Sequence, residues 1–209
     1  MIKAIPKIVG QIIVVDNAST DLTSSVAKQQ GAIVIHEKRR GYGYACLKGI
    51  EYLSERPPDI VVFLDGDFSD YPEDMEKLIR PIQEKEIVFT SGARISSLRE
   101  KGSMAPQQIF GNKLACLLIR LIYKGKFTDL GPFRAIRWET LQSLKMHDKT
   151  YGWTVEMQLK IIRKKSAYEE IPIRYRKRIG VSKVSGTFKG TFFAGAKILG
   201  WIGKFYFLK

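Results

Sequence analysis

Cysteine is scarce in this chain. Cys46 and Cys116 stand far apart and without the spacing of metal ligands, which points to free thiols in a reducing compartment. Long apolar runs are missing too: none reaches the roughly 18–20 residues that a spanning helix needs. The opening Met1-Ile2-Lys3-Ala4-Ile5-Pro6-Lys7 has no apolar core to serve as a signal peptide. The expected location is therefore cytoplasmic. Repeats, low-complexity tracts and linkers are absent, so 209 residues with 44% hydrophobic content read as one globular domain. No zinc finger, RNA-recognition aromatic motif or basic heptad occurs, so nucleic acid is not an expected partner. Acidic residues are missing from Ile171 to Lys209, where nine Lys or Arg fall within a chain of net charge +14. Such a segment attracts phosphates or an anionic bilayer.

What is present is an alternation. Short β-branched runs at Gln11–Val15, Ala32–His36, Asp59–Leu64 and Glu86–Ser91 read as strands. Helical stretches separate them: Thr20–Gln30 with a cap at Ser19 or Thr20, Tyr42–Ser54, and Pro72–Glu84. This order predicts a parallel sheet with helices on both faces. Residues 93–107 show no periodicity and read as a connection. Helices are expected at Ile109–Tyr123, Trp138–Leu144 and Trp153–Lys164, with extended segments at Phe133–Ile136 and Tyr168–Tyr175. The basic, aromatic tail from Phe192 to Phe207 fits either a membrane-interface segment or a helix packed on the domain.

Ligands of open α/β sheets bind at the carboxyl ends of strands. Two acidic clusters fall there: Asp16-Asn17-Ala18-Ser19-Thr20-Asp21 after the first strand, and Asp65-Gly66-Asp67 after the third. An isolated Asp would be an ordinary turn residue. Two carboxylates so close repel each other, and a hard divalent cation, Mg²⁺ or Mn²⁺, relieves that repulsion together with substrate phosphates. Arg39-Arg40-Gly41-Tyr42-Gly43 opens a helix, where anions are favoured, although a simple turn explains it equally well.

These motifs, with Ser91-Gly92-Ala93-Arg94, Thr128-Asp129-Leu130-Gly131-Pro132-Phe133-Arg134, Glu156 and Arg178-Ile179-Gly180-Val181-Ser182-Lys183, resemble in order and type the family-2 inverting glycosyltransferases. The likeness is to the dolichyl-phosphate mannose synthase branch and its bacterial relatives. It implies a Rossmann-like α/β/α fold with a nucleotide-sugar half (1–92), an acceptor half (93–190) and a C-terminal helix (191–209). It also implies hexose transfer to a membrane-associated acceptor, such as polyprenyl phosphate, by a peripheral protein on the inner membrane face. By position, Asp16, Arg40, Gly41, Asp65 and Asp67 would hold the nucleotide sugar, and Asp67 with Asp65 the metal. Ser69 stands where relatives often carry a metal-binding Gln. Asp129 and Glu156 would serve the chemistry, and Arg134, Arg178, Ser182 and Lys183 the acceptor or its phosphates. Glu156 is either a base, which a sugar-hydroxyl acceptor needs, or a partner for a nearby cation.

The resemblance also places Ile2–Ile8 at the end of a helix that should follow a first strand. The expected sheet therefore lacks that strand, through a misplaced start, a truncation or degeneration. The rival readings are a catalytically impaired relative, a nucleotidyltransferase on a similar sheet, and a basic nucleic-acid module.

Overall fold

The computed structural model describes residues 1–180 and 188–207, with side chains omitted at 188–194 and 207. Six strands and seven α-helices follow in the order β1 (Ile13–Asp16), α1 (Thr23–Gln29), β2 (Ile33–His36), α2 (Tyr42–Leu53), β3 (Ile60–Phe63), α3 (Met75–Glu84), β4 (Phe89–Ala93), α4 (Pro106–Tyr123), β5 (Arg134–Arg137), α5 (Trp138–Leu144), α6 (Trp153–Arg163), β6 (Tyr168–Pro172) and α7 (Phe188–Phe207). One sheet pairs β1 with β2 in parallel, and the other runs β3-β5-β4-β6. Strand β5 lies antiparallel to both of its neighbours, while β4 and β6 are parallel. The sheet is thus mixed.

Helices cover both faces because residues alternate along the strands. On β5, Ile136 packs with Phe89, Phe127, Trp153 and Met157, whereas its neighbour Ala135 packs with Phe133 and the α3 residues Leu78 and Ile82. Helix α3 buries Met75, Leu78, Ile79 and Ile82, the i, i+3, i+4, i+7 spacing of one helix face. A third core joins α4, α6 and α7 through Ala115, Ile119, Val155, Leu159, Ile202 and Phe205. Trp201 Nε1 donates to Asp148 at 2.6 Å, and Lys197 pairs with the same carboxylate at 3.2 Å. Of the two readings of the tail, the packed helix describes α7 in this structure. No helix among the described residues is long and apolar enough to cross a membrane.

The sheet is interrupted between β1 and β3, where the resemblance leaves a strand out. Among the described residues, no strand pairs with the second edge of either one. Both line a cavity of about 1020 Å³, with Met1, Ile5 and Val9 from the N-terminal segment and Ala45, Cys46 and Gly49 from α2. Parallel-sheet edges are normally paired or covered, and here Ile5 and Val9 of the N-terminal segment pack on the same core as Ile60 and Val62 of β3.

Candidate active site

The loops that follow the carboxyl ends of β1, β2 and β3 meet in one rim. Side chains tie the rim together. Asn17 accepts the Gly41 N–H at 2.8 Å and donates to the Glu37 and Arg39 carbonyls, joining the loop after β1 to the loop after β2. Tyr42 then hydrogen-bonds to Asp65 after β3. Gly41 has φ 151°, and a β-carbon at Gly43 would lie 2.0 Å from the Asp148 carbonyl oxygen. Here glycine is required by the packing of the 148–149 backbone on the start of α2. Arg40 is exposed beside them.

Both acidic loops turn through left-handed residues that are not glycine, Ala18 at φ 56° and Phe68 at φ 59°. Backbone strain of this kind gathers at binding sites. Asp16 is buried, accepting the Ser19 N–H at 2.9 Å and the Ser24 hydroxyl, with His36 at 3.5 Å. The Ser19 and Ser24 hydrogen bonds hold its pKa at about 2. Asp65 is half-buried, and burial together with the charge of Asp67 pushes it up to about 6, against the opposing pull of Arg134. Asp67 accepts the Ser69 N–H at 3.0 Å and the Ser69 hydroxyl at 2.6 Å, and Arg178 stands 3.2 Å from its other oxygen. Ser69 therefore orients Asp67 by a short local turn.

The strand-end carboxylates suit a hard cation. Asp65 and Asp67 repel each other, and neither oxygen of the buried Asp70, three residues on, has a hydrogen-bond partner. No group of three or more His, Cys, Asp or Glu among the described residues is arranged around one point. The protein would supply two carboxylates, leaving water and ligand phosphate to complete the shell.

Other expected site residues are already engaged. Asp129 takes the backbone N–H, Nε and a terminal nitrogen of Arg94 at 2.7–2.8 Å. Burial raises its pKa, but Arg94 outweighs that and holds it below the usual range. Arg134 is fully buried, donating to the carbonyls of Gly131, Pro132 and Thr154. It faces Asp65 from inside the protein, away from any surface where an acceptor phosphate could touch it. Glu156 is fully buried as well: its oxygens accept the His147 and Asp148 N–H groups at 2.9 and 2.7 Å and pair with Lys160 at 2.7 Å. This is the cation-partner reading of Glu156. Ser182 and Lys183 lie outside the described residues. Arg94, Tyr42 and Asp70 are the site-lining groups that sequence reasoning assigned no role.

Glutamine at 156 keeps a single acceptor oxygen for partners that now use two. Glu156→Gln is expected to cost about 2–3 kcal/mol of stability while leaving turnover per folded molecule within a few-fold. Denaturant unfolding and kcat on the same preparation check this. A hundredfold fall in kcat with stability unchanged would return Glu156 to the chemistry.

Three comparisons bear on this site. The family model for glycosyl transferase family 2 matches residues 4–175. An uncharacterized glycosyltransferase of Mycobacterium tuberculosis is 31% identical over 183 residues, covering 87% of this chain and 81% of the relative. The undecaprenyl-phosphate mannosyltransferase of Micrococcus luteus is 29% identical over 202 residues, covering 90% and 80%. In fold, the chain is similar to glucosyl-3-phosphoglycerate synthase of Mycobacterium tuberculosis, a structure solved with Mn²⁺, UDP and glucosyl-3-phosphoglycerate. The TM-score is 0.74 at 22% identity, over 97% of this chain and 74% of that one. A strand-end pair of carboxylates on a nucleotide-sugar-transferase fold, together with a family match over most of the sequence, has one consequence: this chain is a sugar-transferring enzyme and belongs to glycosyl transferase family 2.

Proposed function

We propose that the enzyme transfers a hexose, with inversion, from a nucleotide sugar to polyprenyl phosphate at a membrane surface. The observation that carries this reading is the half-buried Asp65 beside Asp67 at the sheet rim, its pKa raised to about 6. The donor's nucleoside lies toward the Asp16 loop, and its diphosphate lies over Asp65 and Asp67. Asp65 and Asp67 would hold a divalent cation, Mg²⁺ or Mn²⁺, which would supply positive charge to the departing diphosphate. Tyr42 orients Asp65, Ser69 orients Asp67, and Arg134 offsets the charge of Asp65 from below. Exposed Arg40 and half-buried Arg178 add positive charge around the phosphates.

The acceptor class is read from Asp129 and Glu156, the two carboxylates that the family resemblance would give to the chemistry. Asp129 is held by Arg94, and Glu156 by two backbone N–H groups and Lys160. A sugar hydroxyl needs a base to take its proton. A phosphate monoester is already largely ionised near neutral pH. Its oxygen bonds to the anomeric carbon from the face opposite the leaving group as the carbon–oxygen bond to the diphosphate breaks, releasing the nucleoside diphosphate. The relative from Micrococcus luteus, named for undecaprenyl phosphate, supports this acceptor class.

The test is a transfer assay with radiolabelled nucleotide sugars, polyprenyl phosphate and Mn²⁺. Label should move into the lipid phase with release of nucleoside diphosphate. Label moving only to soluble hydroxyl acceptors would overturn the acceptor, and release of pyrophosphate would make the protein a nucleotidyltransferase.

A further inference from the structure

Helix α4 buries one face and presents another to solvent. Ala115, Cys116 and Ile119 face the core, whereas Phe110, Leu117 and Leu121 are 70%, 49% and 68% exposed. Steps of seven and four residues put these three on one stripe, and Leu114 shares their spacing. Lys113, Arg120 and Lys124, all exposed and without ion pairs among the described residues, flank the stripe along one side. Helix α7 packs beside α4. A stripe of large apolar side chains bordered by unpaired cations is the pattern of a helix lying in a charged membrane interface.

The same helix is tied to the candidate site. Asn112, within α4, accepts the Leu130 N–H at 2.9 Å and donates to the Thr128 carbonyl at 3.5 Å. Between those residues lies Asp129, bonded to Arg94 at the end of β4. A surface that seats α4 is thereby held at a fixed position relative to the Asp129–Arg94 pair.

We propose that the Phe110–Leu117–Leu121 face of α4 is the seat of the enzyme on an anionic lipid bilayer. A second copy of the chain fits this face poorly. Each copy carries net charge +14, and face-to-face pairing would bring both rows of Lys113, Arg120 and Lys124 together. An anionic bilayer meets the apolar stripe and the basic row at once. The proposal deepens the membrane-acceptor reading above and rests on it for its purpose, but vesicle binding is measured without sugar transfer.

The experiment is co-sedimentation of the full chain with phosphatidylcholine vesicles, with and without phosphatidylglycerol, at low and high salt. The parent should bind the anionic vesicles, less so at high salt, and bind the neutral ones much more weakly. The variant F110S/L117S/L121S should lose binding at least about tenfold while keeping the parent's thermal midpoint. K113Q/R120Q/K124Q should lose the preference for anionic lipid. Absence of parent binding, or equal binding by the serine variant, would overturn the proposal. So would a parent dimer in ultracentrifugation that the serine variant dissolves, since a second copy would then cover the face. Transfer to a short-chain soluble acceptor should survive in both variants, and its absence from the parent as well would count against the site reading and leave the vesicle result standing.

Discussion

Replacing Asp67 by alanine is expected to lower sugar transfer about a thousandfold and to abolish the stabilising effect of Mn²⁺ on donor binding. The size follows from what the carboxylate does in the proposed site. It is one of the two carboxylates proposed to hold the cation, and lost electrostatic support of a leaving group typically costs 10²–10³ in rate, with more when a metal is lost. The fold should survive. Asp67 lies in a surface turn, and its pair with Arg178 is a third exposed on the arginine side and a fifth on its own, a geometry worth about 1 kcal/mol or less. The partner variant Arg178→Gln separates the roles. Its guanidinium is a positive charge already sitting at Asp67, so without donor Mn²⁺ should bind this variant more tightly than the parent. Rate assays and Mn²⁺ titrations on both variants check the pair. An Asp67→Ala enzyme with parental rate would remove this residue from the site.

Asp70→Asn is expected to stabilise the ligand-free protein, increasingly so as pH rises. Burial, then the charges of Asp65 and Asp67, push the Asp70 carboxyl up to about 8, only partly offset by Arg94, and neither oxygen has a hydrogen-bond partner. Between the ordinary carboxylate value and pH 8 the folded state holds a proton that the unfolded chain has released. Stability therefore falls as pH rises through that window, by at most about 1.4 kcal/mol per unit. Above pH 8 the folded state carries the full cost of a buried, unpaired charge. Asparagine has no such proton to lose, so the variant's advantage should grow between pH 5 and 8 and then level off. Denaturant melts of both proteins at pH 5, 6.5 and 8 measure it. A stability difference independent of pH would show that the Asp70 carboxyl does not titrate in this window.

The parts of the fold that were legible were those set by local pattern. The helix start at Tyr42 and the bounds of Trp138–Leu144 match their expectations, because a glycine turn and a single periodic run mark them. Strand β4 lies later than its apolar run suggested, at Phe89–Ala93. It is central, so small residues such as Ser91 and Gly92 are buried there instead of ending it. Helix α4 begins at Pro106, inside the stretch read as a connection. Pro106 opens its first turn, and Gln108 reaches back to the Ala105 N–H; neither is visible as apolar periodicity. Helix α1 starts at Thr23, with Asp21 accepting its N–H at 3.0 Å, in place of the cap expected at Ser19 or Thr20. The direction of β5 was illegible too, since strand polarity leaves no mark on residue alternation.

The site divides along the same line. Asp16, Arg40, Gly41, Asp65 and Asp67 sit at strand ends, and sequence order alone placed them there. What occupies each carboxylate depends on distant partners: Arg94 for Asp129, and the 147–148 backbone for Glu156. Asp70 had a visible signal, a third acid in the loop of Asp65 and Asp67, but only its enclosure makes it unusual.

The central claim is that the rim of β1, β2 and β3 holds a nucleotide sugar together with a divalent cation through Asp65 and Asp67. Calorimetric titration of the protein with a panel of nucleotide sugars, with and without Mn²⁺, tests it most directly. At least one donor should bind with a stoichiometry near one and about tenfold or more tighter in the presence of Mn²⁺, with that gain lost in Asp67→Ala. Equal donor affinity with and without Mn²⁺, or a Mn²⁺ effect that persists in Asp67→Ala, would contradict the account.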